Sequence, residues 1–188
     1  FEQIKEQLSI GGDYAAVAAK YRPIFAEIAQ GALAREQQRI LPFEQIEQLK
    51  QAGFGAVRVP VRYGGAGLSL PQLFDLLTEL AAADSNIVQA LRGHFAFVED
   101  RLVAHKTQSQ KLWFERFVAG ELVGNAWTEV GSVQIGDVIT RVIQNATGQR
   151  VVSGEKYYST GSIFADWVDL FAFDEVSQQN VLAVINRH

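Results

Sequence analysis

The hydrophobic periodicity of this chain changes once, from helical to strand-like, and that change constrains the fold more than any other feature. In the first two thirds, apolar residues recur three or four positions apart, as Tyr14, Val17 and Tyr21 do, which predicts amphipathic helices. After Gly120, short runs rich in Val, Phe and Ile alternate with turn residues, which predicts strands. Because helices and strands follow one another without mixing, the sequence favours an α+β fold over an α/β fold.

Two domains are expected from this change in periodicity. Helices are predicted over residues 13–39, 43–50, 69–84, 85–104 and 109–119, and strands over 138–143, 150–156, 167–173 and 181–185. We assign residues 1–122 to an N-terminal all-helical domain and residues 123–188 to a small β domain. Short strands joined by turn segments predict antiparallel pairing in the second domain.

The composition argues against several classes of function. A net charge of −4 without long basic runs gives no support to a nucleic-acid partner. No apolar stretch approaches the roughly 18 residues of a membrane span, and there is no signal-peptide pattern, so we expect a cytoplasmic protein without a membrane partner. The chain has no cysteine, and His94, His105 and His188 are not at metal-ligand spacings, so no metal site is predicted.

Three segments combine glycine with polar or aromatic side chains, at residues 63–69, 124–132 and 154–161. The second lies at the predicted domain boundary, where ligand clefts are common. The third places two tyrosines and two hydroxyl residues before Gly161. Such a segment offers a flat heteroaromatic ring both a wall and hydrogen bonds, and glycine lets the backbone approach closely. The structural alternative is a tight turn for the first segment and a half-exposed strand end for the third.

In this order, the three segments resemble the acyl-CoA dehydrogenase superfamily. Residues 59–69 are similar to its proline followed by Tyr-Gly-Gly-Ala-Gly, and Trp127-Thr128-Glu129 stands where the family carries a flavin-contacting Thr-Glu pair. Residues 154–161 resemble its Gly-x-Lys segment beside the isoalloxazine. The resemblance implies a helical domain followed by a β-barrel-like middle domain. By this resemblance, the family's C-terminal four-helix bundle is expected to be absent from these 188 residues, and the middle domain is expected to be incomplete.

Two departures from the dehydrogenase pattern favour a different branch of the superfamily. Dehydrogenases continue from Thr-Glu into Pro-Gly-x-Gly-Ser-Asp, whereas residues 130–137 read Val-Gly-Ser-Val-Gln-Ile-Gly-Asp. Dehydrogenases also carry Trp-Ile-Thr-Asn where residues 158–161 read Tyr-Ser-Thr-Gly. The run Tyr-Tyr-x-Thr-Gly and the segment 92–95 (Arg-Gly-His-Phe) look more like the flavin-dependent monooxygenases of the dibenzothiophene monooxygenase type.

The resemblance also implies roles for individual residues. The cofactor-binding candidates are Trp127, Thr128, Ser132, Tyr158, Ser159 and Thr160, and the catalytic candidates are His94, Asn125 and Ser159. Among them, Ser132 would contact the phosphate, while His94 and Asn125 would face the oxygen-reactive side of the flavin. The alternative for His94 is a helix residue whose ring is satisfied by a backbone carbonyl. Tyr157 and Tyr158 alternate along a predicted strand, so one should face the flavin and the other the core.

The resemblance implies a flavin-dependent monooxygenase that takes reduced FMN from a separate flavin reductase. It would use dioxygen to oxidise a small sulfur- or nitrogen-containing substrate, and assemble as a homodimer or homotetramer. Two alternatives stay open. One is an FAD-dependent acyl-CoA dehydrogenase, and the other is a non-catalytic family member that acts as a binding protein.

Overall fold

The computed structural model describes residues 12–130 and 138–187. Within them, five α-helices precede five strands, and two short 3-10 helices (Phe54–Ala56 and Val61–Tyr63) lie between the second and third α-helix. The helices are α1 (Tyr14–Gln38), α2 (Phe43–Gln51), α3 (Leu70–Ala83), α4 (Ser85–Ala104) and α5 (Lys111–Val118). The strands are β1 (Val123–Ala126), β2 (Arg141–Gln144), β3 (Arg150–Ser153), β4 (Trp167–Asp174) and β5 (Gln179–Asn186). The predicted α+β class is confirmed.

The helices begin and end at residues whose side chains or backbones suit helix termini. The Asp13 carboxylate accepts hydrogen bonds from the first backbone N–H groups of α1, and Ser69 forms a capping box with Gln72 at the start of α3. Helix α4 is capped by Asp84, because the carboxylate of Asp84 accepts a hydrogen bond from the backbone N–H of Asn86. Within the described residues, no helix is long and apolar enough to cross a membrane.

An aromatic cluster forms the core of the helical part. The ring of Phe54 contacts Tyr21, Phe25 and Phe95 edge to face, at centroid distances of 5.0, 5.8 and 5.8 Å. These rings come from α1, the first 3-10 helix and α4. Their burial holds α4 across the centre of the molecule, where its other face is free to pack on the sheet.

Strand β4 organises the sheet, because every other strand except β3 pairs with it. Along one edge it pairs in parallel with β1 and then with β2, and along the other it pairs antiparallel with β5 over its whole length. The sheet is therefore mixed. The prediction of antiparallel pairing holds for β2–β3 and β4–β5 and was wrong for the two parallel pairs. Alternating apolar residues define which face of a strand is buried, but they carry no information on the direction of its neighbour.

Helix α4 packs directly on β1. A Cβ atom at Gly93 would lie 3.0 Å from Oδ1 of Asn125, so the absence of a side chain lets the helix approach the strand. A second aromatic group seals the same junction, where the Trp113 ring contacts Phe97 at 4.9 Å and Trp167 at 5.6 Å. Helical and β parts thus share one continuous packing interface around α4.

Candidate functional site

The second and third glycine-containing segments meet at the end of β1. An isolated antiparallel bridge joins Thr128 to Tyr157, with the backbone N–H of Tyr157 donating to the Thr128 carbonyl at 2.8 Å. The ammonium group of Lys156 also lies 3.5 Å from the carbonyl oxygen of Trp127. The structure thus places residues 127–129 beside residues 156–160, as one surface.

Three aromatic side chains on this surface are exposed to solvent. The exposed fractions are 48% for Trp127, 45% for Tyr157 and 81% for Tyr158. The expectation that one tyrosine would be buried in the core was wrong. Tyr158 has a φ of 55°, so the chain leaves the extended conformation there and the strand alternation does not continue. The surface therefore presents more aromatic area than the sequence pattern predicted.

The turn that follows Tyr158 packs tightly against α4 and β1. Gly161 has a φ of 74°, and a Cβ atom there would lie 2.1 Å from the carbonyl oxygen of Ala90. A Cβ atom at Gly124 would likewise lie 2.5 Å from Cα of Ser162. Both close approaches require glycine. They fix the position of the loop that carries the candidate residues Ser159 and Thr160.

The indole ring of Trp127 is held by a buried carboxylate. Its Nε1–H group donates to Oδ2 of Asp169 at 2.9 Å, and Asp169 is 5% exposed in the middle of β4. Burial raises the pKa of the Asp169 carboxyl group above its usual range, against a lowering contribution from the Trp127 hydrogen bond. Sequence reasoning missed Asp169. The available signal was an aspartate inside an otherwise apolar run, residues 167–173.

Glu129 anchors the chain on both sides of the segment 131–137. Its carboxylate accepts from the backbone N–H groups of Ile139 and Thr140 at 2.7 and 2.9 Å, from the Thr140 hydroxyl at 2.6 Å and from Lys156 Nζ at 2.7 Å. Burial alone would raise the pKa of Glu129, but these hydrogen bonds outweigh it and lower the pKa to about 2. Glu129 is therefore an ionised structural anchor that ties residue 129 to residues 139–140 and to Lys156.

His94 is buried between α4, the first 3-10 helix and β1. Its ring is 1% exposed, with Nε2 2.8 Å from the Gly55 carbonyl oxygen and Nδ1 accepting from the Val123 N–H at 3.2 Å. Burial lowers its pKa to about 4, against raising contributions from the Gly55 hydrogen bond and Asp166. This is the arrangement anticipated as the alternative for His94. Both ring nitrogens are occupied by these contacts, and the ring joins three elements. The predicted catalytic role of His94 stays untested.

Asn125 lies on β1 between the helix and the exposed surface. Its backbone N–H donates to the Thr160 carbonyl at 3.3 Å, and its own carbonyl accepts from the Ser162 hydroxyl at 3.2 Å. Its side-chain Oδ1 is buried and has no hydrogen-bond partner among the described residues. Ser132, which the resemblance assigns to the phosphate, falls outside the described residues. Asn125 is thus connected to the Ser159–Thr160 loop through its backbone.

An apolar cavity of about 500 Å³ lies between α3 and α4. Its lining is mostly aliphatic and aromatic, with polar groups at a few positions, and comprises Leu70, Leu73, Phe74, Leu77, Thr78, Ala81, Val88, Gln89, Arg92, Phe95, Ala96 and Glu99. Residue 90 of the same helix contacts the turn at Gly161. Helix α4 therefore lines the apolar cavity and also contacts the turn that follows Tyr158.

The aromatic surface fits a flat heteroaromatic ring. Trp127 is both exposed and fixed by a hydrogen bond, and the exposed residues Thr128 and Ser159 lie in the two segments that meet there. A ring of the isoalloxazine type needs one stacking face and donors along its polar edge. Among the residues selected from the sequence, Trp127, Thr128, Tyr158 and Ser159 are exposed on these two segments, and Asp169 supports Trp127 from behind.

Comparison with known proteins identifies the family. The family described as acyl-CoA dehydrogenase, N-terminal domain, matches residues 15–121, more than half of the chain. The chain is 26% identical over 141 residues to dibenzothiophene monooxygenase of Rhodococcus erythropolis, covering 72% of this chain and 33% of that protein. It is 24% identical over 156 residues to the probable FMNH2-dependent monooxygenase SfnC of Pseudomonas putida, covering 82% of this chain and 38% of that protein.

The fold agrees with that of solved structures in the same family. Butyryl-CoA dehydrogenase from Megasphaera elsdenii superposes with a TM-score of 0.77 at 19% identity, covering 93% of this chain and 48% of that chain. The chain spans about a third to two fifths of the length of the two curated relatives. With the family matched over residues 15–121, the sequence-based identification is confirmed: the chain belongs to the acyl-CoA dehydrogenase superfamily.

Proposed function

We propose that this protein is a flavin-dependent monooxygenase that uses reduced FMN and dioxygen to oxidise a small sulfur- or nitrogen-containing organic substrate. The observation that carries the proposal is the exposure of three aromatic side chains, Trp127, Tyr157 and Tyr158, on two segments that the Thr128–Tyr157 bridge joins. Soluble proteins seldom leave several large aromatic rings exposed together unless they contact a ligand or partner. The relatives named as FMNH2-dependent and dibenzothiophene monooxygenases support the choice of chemistry.

When bound, the flavin supplies the oxygen chemistry, and the protein supplies binding, orientation and exclusion of water. Trp127 and Tyr158 stack on the ring in this proposal, and the hydroxyl groups of Thr128, Ser159 and Thr160 bond its polar edge. The turn at Gly161, which packs on Ala90, keeps the loop in place while the ring binds. Ser132 contributes to the phosphate site, and His94 and Asn125 support the loop and strand behind the ring.

The apolar cavity between α3 and α4 is the proposed site for the body of the substrate. Its apolar lining suits an organic molecule without charge. Glu99, one of its few polar residues, is paired with Arg58 at 2.5 Å, so this carboxylate is already neutralised. In the same proposal, a separate flavin reductase supplies reduced FMN. The protein is a cytoplasmic homodimer or homotetramer. Each chain is divided at about residue 122 into two domains.

Flavin binding is the first test of the proposal. Titration of FMN and FAD with the 188-residue chain should quench the flavin fluorescence through stacking on Trp127, with FMN bound more tightly than FAD. Tyr158→Ala should weaken binding, and Leu33→Ala is a matched control because Leu33 is an exposed apolar residue of α1. Unchanged flavin fluorescence at every protein concentration would contradict the proposal and would favour the non-catalytic alternative.

Oxygen incorporation is the second test. Reduced FMN, isotope-labelled dioxygen and an organosulfide or amine should give a product that carries one labelled oxygen atom, in an amount that depends on Trp127 and Tyr158. A product without the label, or labelled equally by free flavin alone, would contradict a monooxygenase.

An FAD-dependent acyl-CoA dehydrogenase is the second candidate, and the matched family supports it. It predicts the opposite preference, with FAD held tightly and its absorbance lost when an acyl-CoA is added without oxygen. An absorption spectrum recorded under anaerobic conditions after adding an acyl-CoA therefore distinguishes the two candidates.

A further inference from the structure

The side chain of Asp169 is placed unusually for a residue in the middle of a strand. Its register neighbours are Asn125 on β1 and Val184 on β5, and it is flanked along β4 by Val168 and Leu170. Oδ2 accepts the Trp127 indole N–H at 2.9 Å. Oδ1 is buried without a hydrogen-bond partner among the described residues.

Stability does not account for a carboxylate at this position. A buried charge is costly unless it is paired and fully hydrogen-bonded, and Asp169 has one hydrogen bond for its two oxygens. The nearby charges of Asp100 and Arg101 act on it in opposite directions, so they do not provide a net counter-charge. A leucine at residue 169 would fill similar space beside Val168, Leu170 and Val184 without these penalties.

The single hydrogen bond of Asp169 goes to a ring that is half exposed. Trp127 lies at the end of β1, where the chain leaves the sheet, and 48% of the residue is open to solvent. An indole in such a position can rotate about its side-chain bonds unless its N–H group is fixed. The hydrogen bond to a residue in the middle of the sheet therefore sets the direction of the exposed indole face.

We propose that Asp169 is a positioning residue that holds the Trp127 indole in the orientation on which the flavin ring stacks. This inference rests on the proposed flavin-binding function. Asp169 does not contact the flavin in this proposal and acts only through Trp127. Fixing the ring before binding removes an ordering cost from the association.

Four variants test the proposal: Asp169→Leu, Asp169→Asn, Trp127→Phe and the double variant D169L/W127F. D169L should raise the Kd for FMN about tenfold without lowering resistance to urea. D169N should bind FMN nearly as well as the parent, because the amide carbonyl still accepts the indole N–H. In the W127F background, D169L should have no further effect on the Kd, because Asp169 then has no ring to orient.

Glu121→Leu is the matched control. Trp167 donates its indole N–H to Oε2 of Glu121 at 2.5 Å, so the chain contains a second Trp–carboxylate bond, which lies in the packing around Trp113. E121L removes that bond and should leave the Kd for FMN unchanged. An equal loss of affinity in E121L and D169L would overturn the proposal, since it would indicate a general loss of structure.

Indole NMR of the flavin-free protein gives a readout that does not depend on flavin. The chain has three tryptophans, so three indole N–H signals can be assigned by substitution. The Trp127 signal should be as ordered as the others in the parent and in D169N, and mobile in D169L. A Trp127 signal that is equally ordered in D169L overturns the proposal.

The affinity measurements separate this inference from the function on which it rests. If the parent chain binds FMN and D169L binds it equally well, the inference alone is wrong. If D169L weakens binding further in the W127F background, Asp169 acts by another route, and the inference is wrong again. If the parent binds no flavin, the proposed function fails, and the indole signals still decide whether Asp169 orders Trp127.

Discussion

Nδ1 of His94 accepts a hydrogen bond from the backbone N–H of Val123 at 3.2 Å, across the junction between α4 and β1. Nε2 of the same ring lies 2.8 Å from the carbonyl oxygen of Gly55, and a carbonyl can only accept. The tautomer that satisfies both partners is therefore the neutral ring with its proton on Nε2. Protonation of Nδ1 would break the bond to β1 and bury a charge.

Acid should weaken the fold through His94. Burial lowers its pKa to about 4 in the folded chain, whereas an unfolded histidine titrates near pH 6.5. As the pH falls through this interval, the unfolded state takes up a proton and the folded state does not, so stability is full above about pH 6.5 and is lost towards pH 4. The loss should approach about 3 kcal/mol, measured by urea unfolding between about pH 7 and pH 4.5.

The control for this prediction is His94→Gln, which should be less stable at neutral pH and should show a flatter pH dependence over the same interval. His105 also has a lowered pKa, mainly through partial burial, so some dependence should remain in H94Q. The same pH dependence in the parent and in H94Q would contradict the role assigned to His94.

Glu129→Gln should destabilise the fold because the neutral amide cannot replace a carboxylate that accepts four hydrogen bonds. The expected loss is about 2–3 kcal/mol by urea unfolding at neutral pH. The folded pKa of Glu129 is about 2, below its unfolded value. Its contribution is therefore present above about pH 4.5 and is lost as the pH falls towards 2.

Glu115→Gln provides the comparison for E129Q. Glu115 pairs with Lys111 at 3.5 Å on the surface of α5, where both side chains are exposed. The loss in this variant should stay below about 0.5 kcal/mol. An equal loss of unfolding free energy in E115Q and E129Q would show that Glu129 does not act as an anchor.

The helices were predictable because their signals are local. Asp13 and Ser69 cap α1 and α3 from residues adjacent to each helix, and Gly53 ends the α2 region with a positive φ. Strand β1 was not among the predicted strands, because the four residues Val-Gly-Asn-Ala carry little strand propensity. Its strand conformation comes from pairing with β4, which lies about 40 residues further along the chain.

The supporting residues of the site could not be predicted for a related reason. Asp169 and Trp127 are separated by 42 positions, and Lys156 and Glu129 by 27. Their pairing depends on the sheet register, which is set by the packing of the whole fold. Trp127 and Tyr158 were selected because they lie in short motifs that resemble those of the family. Their exposure could not be predicted from the sequence.

Gly161→Ala should be much more damaging than Gly148→Ala. Both glycines have a positive φ, 74° and 82°, so each variant incurs a similar backbone strain of about 1–2 kcal/mol. A Cβ atom at Gly148 would meet only Gln144 Nε2 at 3.6 Å, whereas at Gly161 it would lie 2.1 Å from the backbone of Ala90. We expect G161A to cost about 1–3 kcal/mol more than G148A by urea unfolding, with a matching loss of FMN affinity.

Tyr158→Asn should separate stability from flavin binding. Tyr158 has a φ of 55° and is 81% exposed. Its side chain therefore adds little to the free energy of unfolding, and its backbone conformation lowers it. Asparagine tolerates the left-handed region better than tyrosine. Unfolding in urea should therefore show unchanged or slightly greater stability, by up to about 1 kcal/mol, while the Kd for FMN should rise about tenfold because a stacking ring is lost.

Arg39→Asn is the matched control for Y158N, because Arg39 also has a φ of 55° and lies at the C-terminus of α1, outside the segments 127–129 and 156–160. Since the two variants relieve the same backbone strain, any difference between them in FMN affinity reports on the tyrosine ring alone. R39N should match Y158N in stability and bind FMN as the parent does. If Y158N keeps the affinity of the parent, Tyr158 is not part of a flavin site, and the stacking surface must rest on Trp127 and Tyr157 alone.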